Sequence, residues 1–91
     1  MVDGEDAVYQ ANLLRNFKSI EQKGLVATFR KTVEHAARIY GGNENRYELI
    51  LSEMISDGYV TRQPVTLNGN EFTSIAPVWD KINTELMPVL A

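Results

Sequence analysis

Residues 33–50 read VEHAARIYGGNENRYELI, and this stretch decides how the chain folds. Apolar residues recur at helical spacing on both sides of Gly41-Gly42, and two consecutive glycines are costly inside a helix. The pattern therefore predicts two helices joined by a tight turn. Asn45 is a suitable N-cap for the second helix, and Glu48, three residues later, would complete a capping box.

The second helix is followed by a predicted β-hairpin. Asp57-Gly58 is expected to end the helix, because glycine suits a left-handed C-cap. Two runs of β-branched and aromatic residues then flank Asn68-Gly69, a strong hairpin signal since both residues accept a positive φ. Pro64 lacks an amide donor, so it should lie at a bulge or an edge of the first strand.

The segment before the first of these helices has two interpretations. Residues 25–29 carry β-branched and aromatic side chains, so they fit a short strand or the beginning of a long helix that runs to Tyr40. Thr32 is also a candidate N-cap for a shorter helix from Val33 to Tyr40.

An amphipathic helix is predicted on each side of this centre. The first covers residues 5–23 and ends at Gly24. The last follows Pro77, which suits the first turn of a helix, and Pro88 ends it or lies at its frayed end. The apolar residues expected to form the buried face of the first helix are Ala7, Val8, Ala11, Leu14, Phe17 and Ile20.

The composition narrows the class of protein. A length of 91 residues fits a single domain, and 44% hydrophobic residues are too many for a disordered chain. The absence of cysteine excludes a disulfide framework and a thiolate zinc site. The N-terminus is acidic where a secretory signal is basic, and the apolar runs are far shorter than the roughly 20 residues of a membrane helix. We therefore expect a cytoplasmic protein that has no membrane partner.

The central spacing resembles that of a winged helix-turn-helix. A small residue, Ala37, stands where the two helices would cross, and Gly41 follows four residues later in the turn. Tyr47 and Ile50 hold apolar positions of the second helix. The chain beyond it resembles the end of the recognition helix and the first wing strand of MarR-type and PadR-type regulators. The residues that carry this second part are Leu51, Met54, Gly58, Tyr59, Val60 and Arg62.

The resemblance, which covers about residues 25–76, implies a mainly α protein with a small β-hairpin, of the α+β class. It implies one winged-helix domain over residues 1–91 with additional terminal helices. The parts of this domain are an N-terminal helix over 1–23, a helix-turn-helix over 25–58, a wing hairpin over 59–76 and a C-terminal helix over 77–91.

The same resemblance implies a transcriptional regulator that binds double-stranded DNA and acts by occupying its site, with helix 43–57 in the major groove. Asparagine can read adenine and arginine can read guanine, so Asn45 and Arg46 are candidates for base contacts. Basic side chains beside them would hold phosphates. The candidate DNA-binding residues are Arg30, Lys31, Arg38, Asn43, Asn45, Arg46 and Arg62.

The distribution of charge leaves an alternative open. The net charge is −3, yet residues 23–62 carry six basic and five acidic side chains, so the acidic excess lies at the two ends. Glu44 and Glu48 would face phosphates or base edges, and the wing from 63 to 74 contains no lysine or arginine. The alternative function is a winged-helix module that binds protein, as an assembly subunit or a small inhibitor, through a face with an exposed Leu49.

No catalytic, metal or cofactor site can be assembled from the sequence, so we expect a protein that is not an enzyme. His35 is the single histidine, and its neighbour Glu34 does not face it on a helix, which favours a packing role. Trp79 fits the core or an interface between subunits. Two apolar terminal helices favour a homodimer. The hypothesis of a DNA-binding regulator includes a phage or another mobile element as the source of the protein.

Overall fold

The computed structural model describes residues 4–90 and the side chains of residues 4–88. Three helices are followed by an antiparallel hairpin and a C-terminal helix, which confirms a mainly α protein with a small β-hairpin. The helices are α1 (Gly4–Gln22), α2 (Phe29–Tyr40) and α3 (Glu44–Ser56), and the strands are β1 (Val60–Leu67) and β2 (Asn70–Pro77). The C-terminal helix has three consecutive parts, Trp79–Lys81, Ile82–Leu86 and Met87–Leu90.

α1 has nearly the predicted span, but its buried face differs from the prediction. Val8 is 59% exposed, whereas two asparagines, Asn12 and Asn16, are buried. Asn12 donates from Nδ2 to the Tyr47 hydroxyl at 3.0 Å, and Asn16 Oδ1 lies 2.6 Å from His35 Nδ1. Because α1 packs against α2, α3 and β2 at once, a single apolar stripe does not describe its buried surface.

Between α1 and α2 the chain forms an isolated antiparallel bridge, in which Ala27 pairs with Ile75 of β2. The Ile75 N–H donates to the Ala27 carbonyl at 2.9 Å. The segment is therefore neither a full strand nor the beginning of a long helix, because the pairing is an isolated bridge at Ala27 and α2 begins only at Phe29. The shorter helix with Thr32 as its N-cap is wrong, because α2 begins at Phe29 and Thr32 is buried within it.

The turn between α2 and α3 depends on glycine. Gly41 and Gly42 have φ values of 77° and 103°, a region that side-chain-bearing residues rarely adopt. The turn places Asn43 at the N-cap of α3, where its side chain accepts from the N–H groups of Asn45 and Arg46. The predicted cap at Asn45 is therefore wrong, because the turn ends one residue before Asn43 and α3 has already begun at Glu44.

The hairpin prediction is confirmed. Asn68 and Gly69 have φ values of 52° and 79°, so they form the two-residue turn between the paired residues Leu67 and Asn70. Pro64 pairs with Thr73 in a register without a bulge, on a strand that is the sheet edge. An edge position is the alternative that the structure confirms for Pro64, since a proline there need not donate to a further strand.

The C-terminal helix begins two residues later than predicted, whereas Pro88 lies within its last turn, close to the predicted alternative of a position at the end of the helix. It begins at Trp79, because Pro77 is still the last residue of β2, and it continues past Pro88. Its middle part, Ile82–Leu86, is a wide π-helical turn, which ends with the Met87 N–H bonded to the carbonyl five residues earlier. Pro88 therefore interrupts the ladder of hydrogen bonds without ending the helix.

One core gathers residues from every helix and both strands. Its largest fully buried members include Phe17 of α1, Tyr47 of α3 and Ile82 of the C-terminal helix. The terminal helices therefore bury their apolar side chains within one chain, and Trp79 packs against the same core. The sequence-based reason for a homodimer, that these helices have little else to pack against, is wrong. The homodimer itself stays a prediction.

Tyr47 joins three parts of the fold through its hydroxyl group. The side chain is fully buried, and its hydroxyl donates to the Gly41 carbonyl at 2.7 Å while it accepts from Asn12. The ring packs edge-on against Tyr9, with 4.5 Å between the ring centroids. Burial raises the pKa of the Tyr47 hydroxyl. α1, the glycine turn and α3 are thus held by one side chain.

The corrected N-cap gives a matched pair of variants. We expect Asn43→Ala to lower the free energy of unfolding by about 1 kcal/mol, because two N–H groups at the start of α3 lose their acceptor. Asn45→Ala should change it by less than about 0.5 kcal/mol, since its side chain is exposed beyond the cap. Urea denaturation followed by circular dichroism measures both, and equal losses would contradict the assignment of Asn43 as the cap.

Removing the Tyr47 hydroxyl tests its bridging role. We expect Tyr47→Phe to lower the free energy of unfolding by roughly 2 kcal/mol, because the buried Asn12 amide and the Gly41 carbonyl lose a partner. Tyr40→Phe is the control, since among residues 4–88 the Tyr40 hydroxyl has no hydrogen bond. Chemical denaturation measures the free energy of unfolding of both variants. Similar losses for the two would show that the Tyr47 hydroxyl contributes nothing specific.

Candidate interaction surface

The exposed surface of α2 and α3 contains most of the candidate DNA-binding residues. Arg30, Lys31 and Arg38 lie on α2, Asn45 and Arg46 lie on α3, and Arg62 lies on β1. Asn43 precedes α3 as its N-cap. The structure brings Arg30 to the beginning of α3, but it does not bring all seven residues onto one positive face.

Arg30 lies among carboxylates. Its Nη2 donates to Glu44 at 2.7 Å, its Nε donates to Glu34 at 3.2 Å, and its Nη1 lies 3.3 Å from a Glu48 oxygen. One cation therefore faces three carboxylates, and the local charge at the junction of α2 and α3 is negative. The pairs are solvent-exposed and contribute little to stability, but together they set the sign of the surface.

Two further candidates have side chains that are occupied by contacts within the chain. Arg46 donates from Nη2 to the Asp6 carboxylate of α1, and both side chains are partly buried. The Asn43 side chain is occupied in capping α3. Both residues therefore connect parts of the fold, and neither presents its side chain freely to a partner outside the chain.

Lys31, Arg38 and Arg62 keep their charges exposed. Lys31 and Arg38 are seven residues apart on α2, so they share its outer face. Within residues 4–88, no carboxylate lies within ion-pairing distance of these three cations. They are the candidates that remain available to an anionic partner.

The outward face of α3 is an uncharged strip beside acidic residues. Residues 45, 49, 52 and 56 follow helical spacing and are all exposed, and we call this strip the α3 face. Leu49 is its apolar member and is 50% exposed. Glu44 and Glu48 lie along one side of the strip, and Glu53 lies on the other. The α3 face therefore has an apolar centre, polar ends and a negative rim.

A shallow groove extends this face toward α1. Its lining includes Glu5 and Tyr9 of α1 together with Asn45 and Leu49 of α3, and its volume is about 340 Å³. The Tyr9 hydroxyl accepts from the Asn43 N–H at 2.9 Å, which fixes one wall of the groove. The surface around Leu49 is therefore slightly concave, and the charged side chains of Glu5 and Arg46 also line it.

His35 packs between α1 and α2, as predicted. Its Nδ1 lies 2.6 Å from Asn16 Oδ1, and the ring is half-buried. Burial lowers the pKa of His35, and the nearby positive charges of Arg38 and Lys23 lower it further. The imidazole is therefore neutral at pH 7 and acts as a hydrogen-bond donor to the buried amide of Asn16.

The comparisons identify no relative: no family model, curated protein or solved structure matches this chain. Within the residues that the structure describes, no three histidine, aspartate or glutamate side chains form a group able to hold a metal ion. No helix in the same range is long and apolar enough to cross a membrane.

Sequence reasoning missed the partners that neutralise the arginines. Arg30 and Glu34 are four residues apart on one helix, so their pairing is visible in the sequence. Arg46 and Asp6 are 40 residues apart, and no local pattern predicts that pair. The availability of a surface cation depends on such long-range contacts, which only the folded chain shows.

The lowered pKa of His35 predicts how stability depends on pH. As the pH falls through about 6.5, the unfolded chain takes up a proton before the folded chain does, so protonation favours unfolding. The contribution of neutral His35 is complete above that pH and declines below it. We therefore expect the wild-type protein to lose more stability than His35→Gln between about pH 8 and pH 5. Urea denaturation measures this loss, and an equal loss of stability in the two proteins over this pH range would contradict the prediction.

Proposed function

We propose that this chain is a winged helix-turn-helix domain whose α3 face binds a protein partner. The winged-helix assignment is supported by the order of elements, which runs α1, the Ala27 bridge, α2, the glycine turn, α3 and the hairpin. The isolated bridge between Ala27 and Ile75 also ties the segment before α2 to the base of the hairpin, which is consistent with this assignment. The fold alone does not choose between DNA and protein, because one fold hosts many functions.

The observation that carries the protein-binding proposal is the charge of the surface at α3. A helix that enters the major groove approaches phosphates on both sides, and it gains affinity from cations that replace counterions. Here Arg30 is shared among three carboxylates, and Arg46 is turned toward Asp6. The α3 face instead offers exposed Leu49 within an acidic rim.

This surface fits a partner with an apolar residue at its centre and basic residues around it. Burying the exposed half of Leu49 would contribute about 1 kcal/mol from its apolar area. The carboxylates beside it would attract lysine or arginine of the partner and exclude acidic surfaces, which gives specificity more than affinity. The partner would therefore be a basic protein surface or helix that carries an apolar anchor.

A second candidate function is binding of duplex DNA by a transcriptional regulator that occupies its site. The specific observation in its favour is that Lys31, Arg38 and Arg62 have no carboxylate partner within residues 4–88 and that Asn45 is exposed at the start of α3. These residues would contact mainly phosphates. Such a regulator would act as a homodimer on a two-fold site, with the exposed apolar side chains of Val8 and Met87 available on the terminal helices.

A pair of charge-introducing variants tests the protein-binding proposal. The tagged chain carries a photo-crosslinking amino acid at Ser52, on the α3 face, and is expressed in its host cells. We expect one discrete crosslinked protein, and Leu49→Asp should reduce its yield at least about tenfold, because a carboxylate would be buried at the interface. Leu67→Asp is the control, since Leu67 is similarly exposed at the far end of the hairpin.

The same variants distinguish protein binding from DNA binding. Fluorescence anisotropy with a labelled random-sequence duplex at low salt should show no saturable binding if the α3 face serves a protein. Saturable binding that is weakened by Lys31→Gln with Arg38→Gln and unaffected by Leu49→Asp would overturn the proposal in favour of DNA. A crosslinking pattern that is identical for the wild type and for Leu49→Asp would overturn it as well.

A further inference from the structure

A second groove lies on the side of α2 that faces α1 and the segment before α2. Its volume is about 340 Å³, and it is separate from the α3 face. Ile20, Ala27 and Thr32 form its buried or half-buried floor, and exposed Leu25 and Val26 form one rim. Lys23, Lys31 and Arg38 also line it, so we call it the basic groove.

The basic groove carries a net positive charge in an acidic protein. Glu34 is the one carboxylate in its lining, and this side chain is bonded to Arg30 at 3.2 Å. Within residues 4–88, no carboxylate pairs with the three cations of the groove. Lys23, just after α1, and Lys31 and Arg38 of α2 therefore give the groove a net positive charge.

The segment before α2 supplies an apolar part of the lining. Leu25 and Val26 are adjacent in the chain and are 61% and 53% exposed. A smaller groove of about 250 Å³, on the side of the hairpin, shares these two residues with the basic groove. Two large neighbouring apolar side chains thus stay in contact with water at the edge of a concave surface, where an apolar ligand would displace that water.

A polar group in the floor lacks a partner. Thr32 is fully buried, and its hydroxyl has no hydrogen bond with any described residue. Buried hydroxyl groups normally have a hydrogen-bond partner, so Thr32 is an exception in the floor of the groove. The partly buried ring of His35 lies in the same lining and is the only titratable group there besides Glu34 and the three cations.

We propose that the basic groove binds a small organic anion, in which an acidic group is attached to a compact aromatic or aliphatic body. Arg38 and Lys31 would hold the acidic group, since charge-assisted hydrogen bonds are the strong ones and a guanidinium can bind an oxyanion through two donors. Leu25 and Val26 would cover the apolar body. The volume lies at the small end of the range for ligand sites, which restricts the ligand to a compact molecule.

This proposal does not depend on the function of the α3 face, because the two surfaces share no lining residue. Binding in the groove would stabilise α2 relative to α1 through residues of both helices. A ligand there would act as an effector of whatever partner α3 binds, since Glu34 of the groove is bonded to Arg30, which in turn contacts Glu44 of α3.

The test uses anilinonaphthalene sulfonate, a fluorescent anion with an apolar aromatic body. We expect a saturable rise in its fluorescence with one site per chain. Lys31→Gln combined with Arg38→Gln should weaken binding at least about tenfold, because two charge-assisted contacts are lost. Arg62→Gln, which removes a cation outside the groove, should leave binding unchanged. Circular dichroism confirms that each variant is folded.

His35 supplies an independent readout, because it is the single histidine of the chain and gives one set of imidazole resonances. The probe should shift these resonances and raise the pKa of His35, since a bound anion favours the charged imidazole. Unchanged His35 resonances at saturation, or equal binding by the wild type and the doubly substituted protein, would overturn the proposal. The proposal would also be overturned if inorganic sulfate or duplex DNA bound the groove as strongly as the probe does, because the groove would then be a site for bare oxyanions.

Discussion

The hydroxyl of Tyr47 is the polar contact on which the arrangement of the first three helices depends. It lies in the core, donates to the carbonyl of Gly41 and accepts from Asn12. The Asn12 amide would otherwise lose its partner in a buried position, and the turn carbonyl would lose its donor, so the position of α1 and the path of the turn are coupled to α3. The direction of the α3 face follows from this coupling.

The same folding that positions α3 also determines its charge. Arg46 and Asp6 connect α3 to α1, and Arg30 connects α2 to the first turn of α3. Each contact takes a cation that would otherwise face outward, so the surface at α3 is acidic although this part of the sequence has slightly more basic than acidic residues. The cations of α2 that stay unpaired, Lys31 and Arg38, line the basic groove.

The sequence was sufficient where local chemistry decides the structure. The glycine turn, the end of α3 and the Asn68-Gly69 hairpin follow from the backbone preferences of a few neighbouring residues. The N-cap of α3 was predicted two residues late, since Asn43 and Asn45 are equally good caps and the preceding turn decides between them. The buried asparagines of α1 and the pair between Arg46 and Asp6 involve residues far apart in sequence, so no local pattern reveals them.

The hairpin has two parts that differ in how they are held. Its base contains buried Val60 and Ile75 and is joined to Ala27, whereas residues 66–71 at its tip are all exposed. Amide hydrogens at the tip should therefore exchange through local opening, while those at the base exchange only when the core itself opens. The tip is free to adapt its shape to a bound surface without disturbing the helices, and it does so from a rigid base.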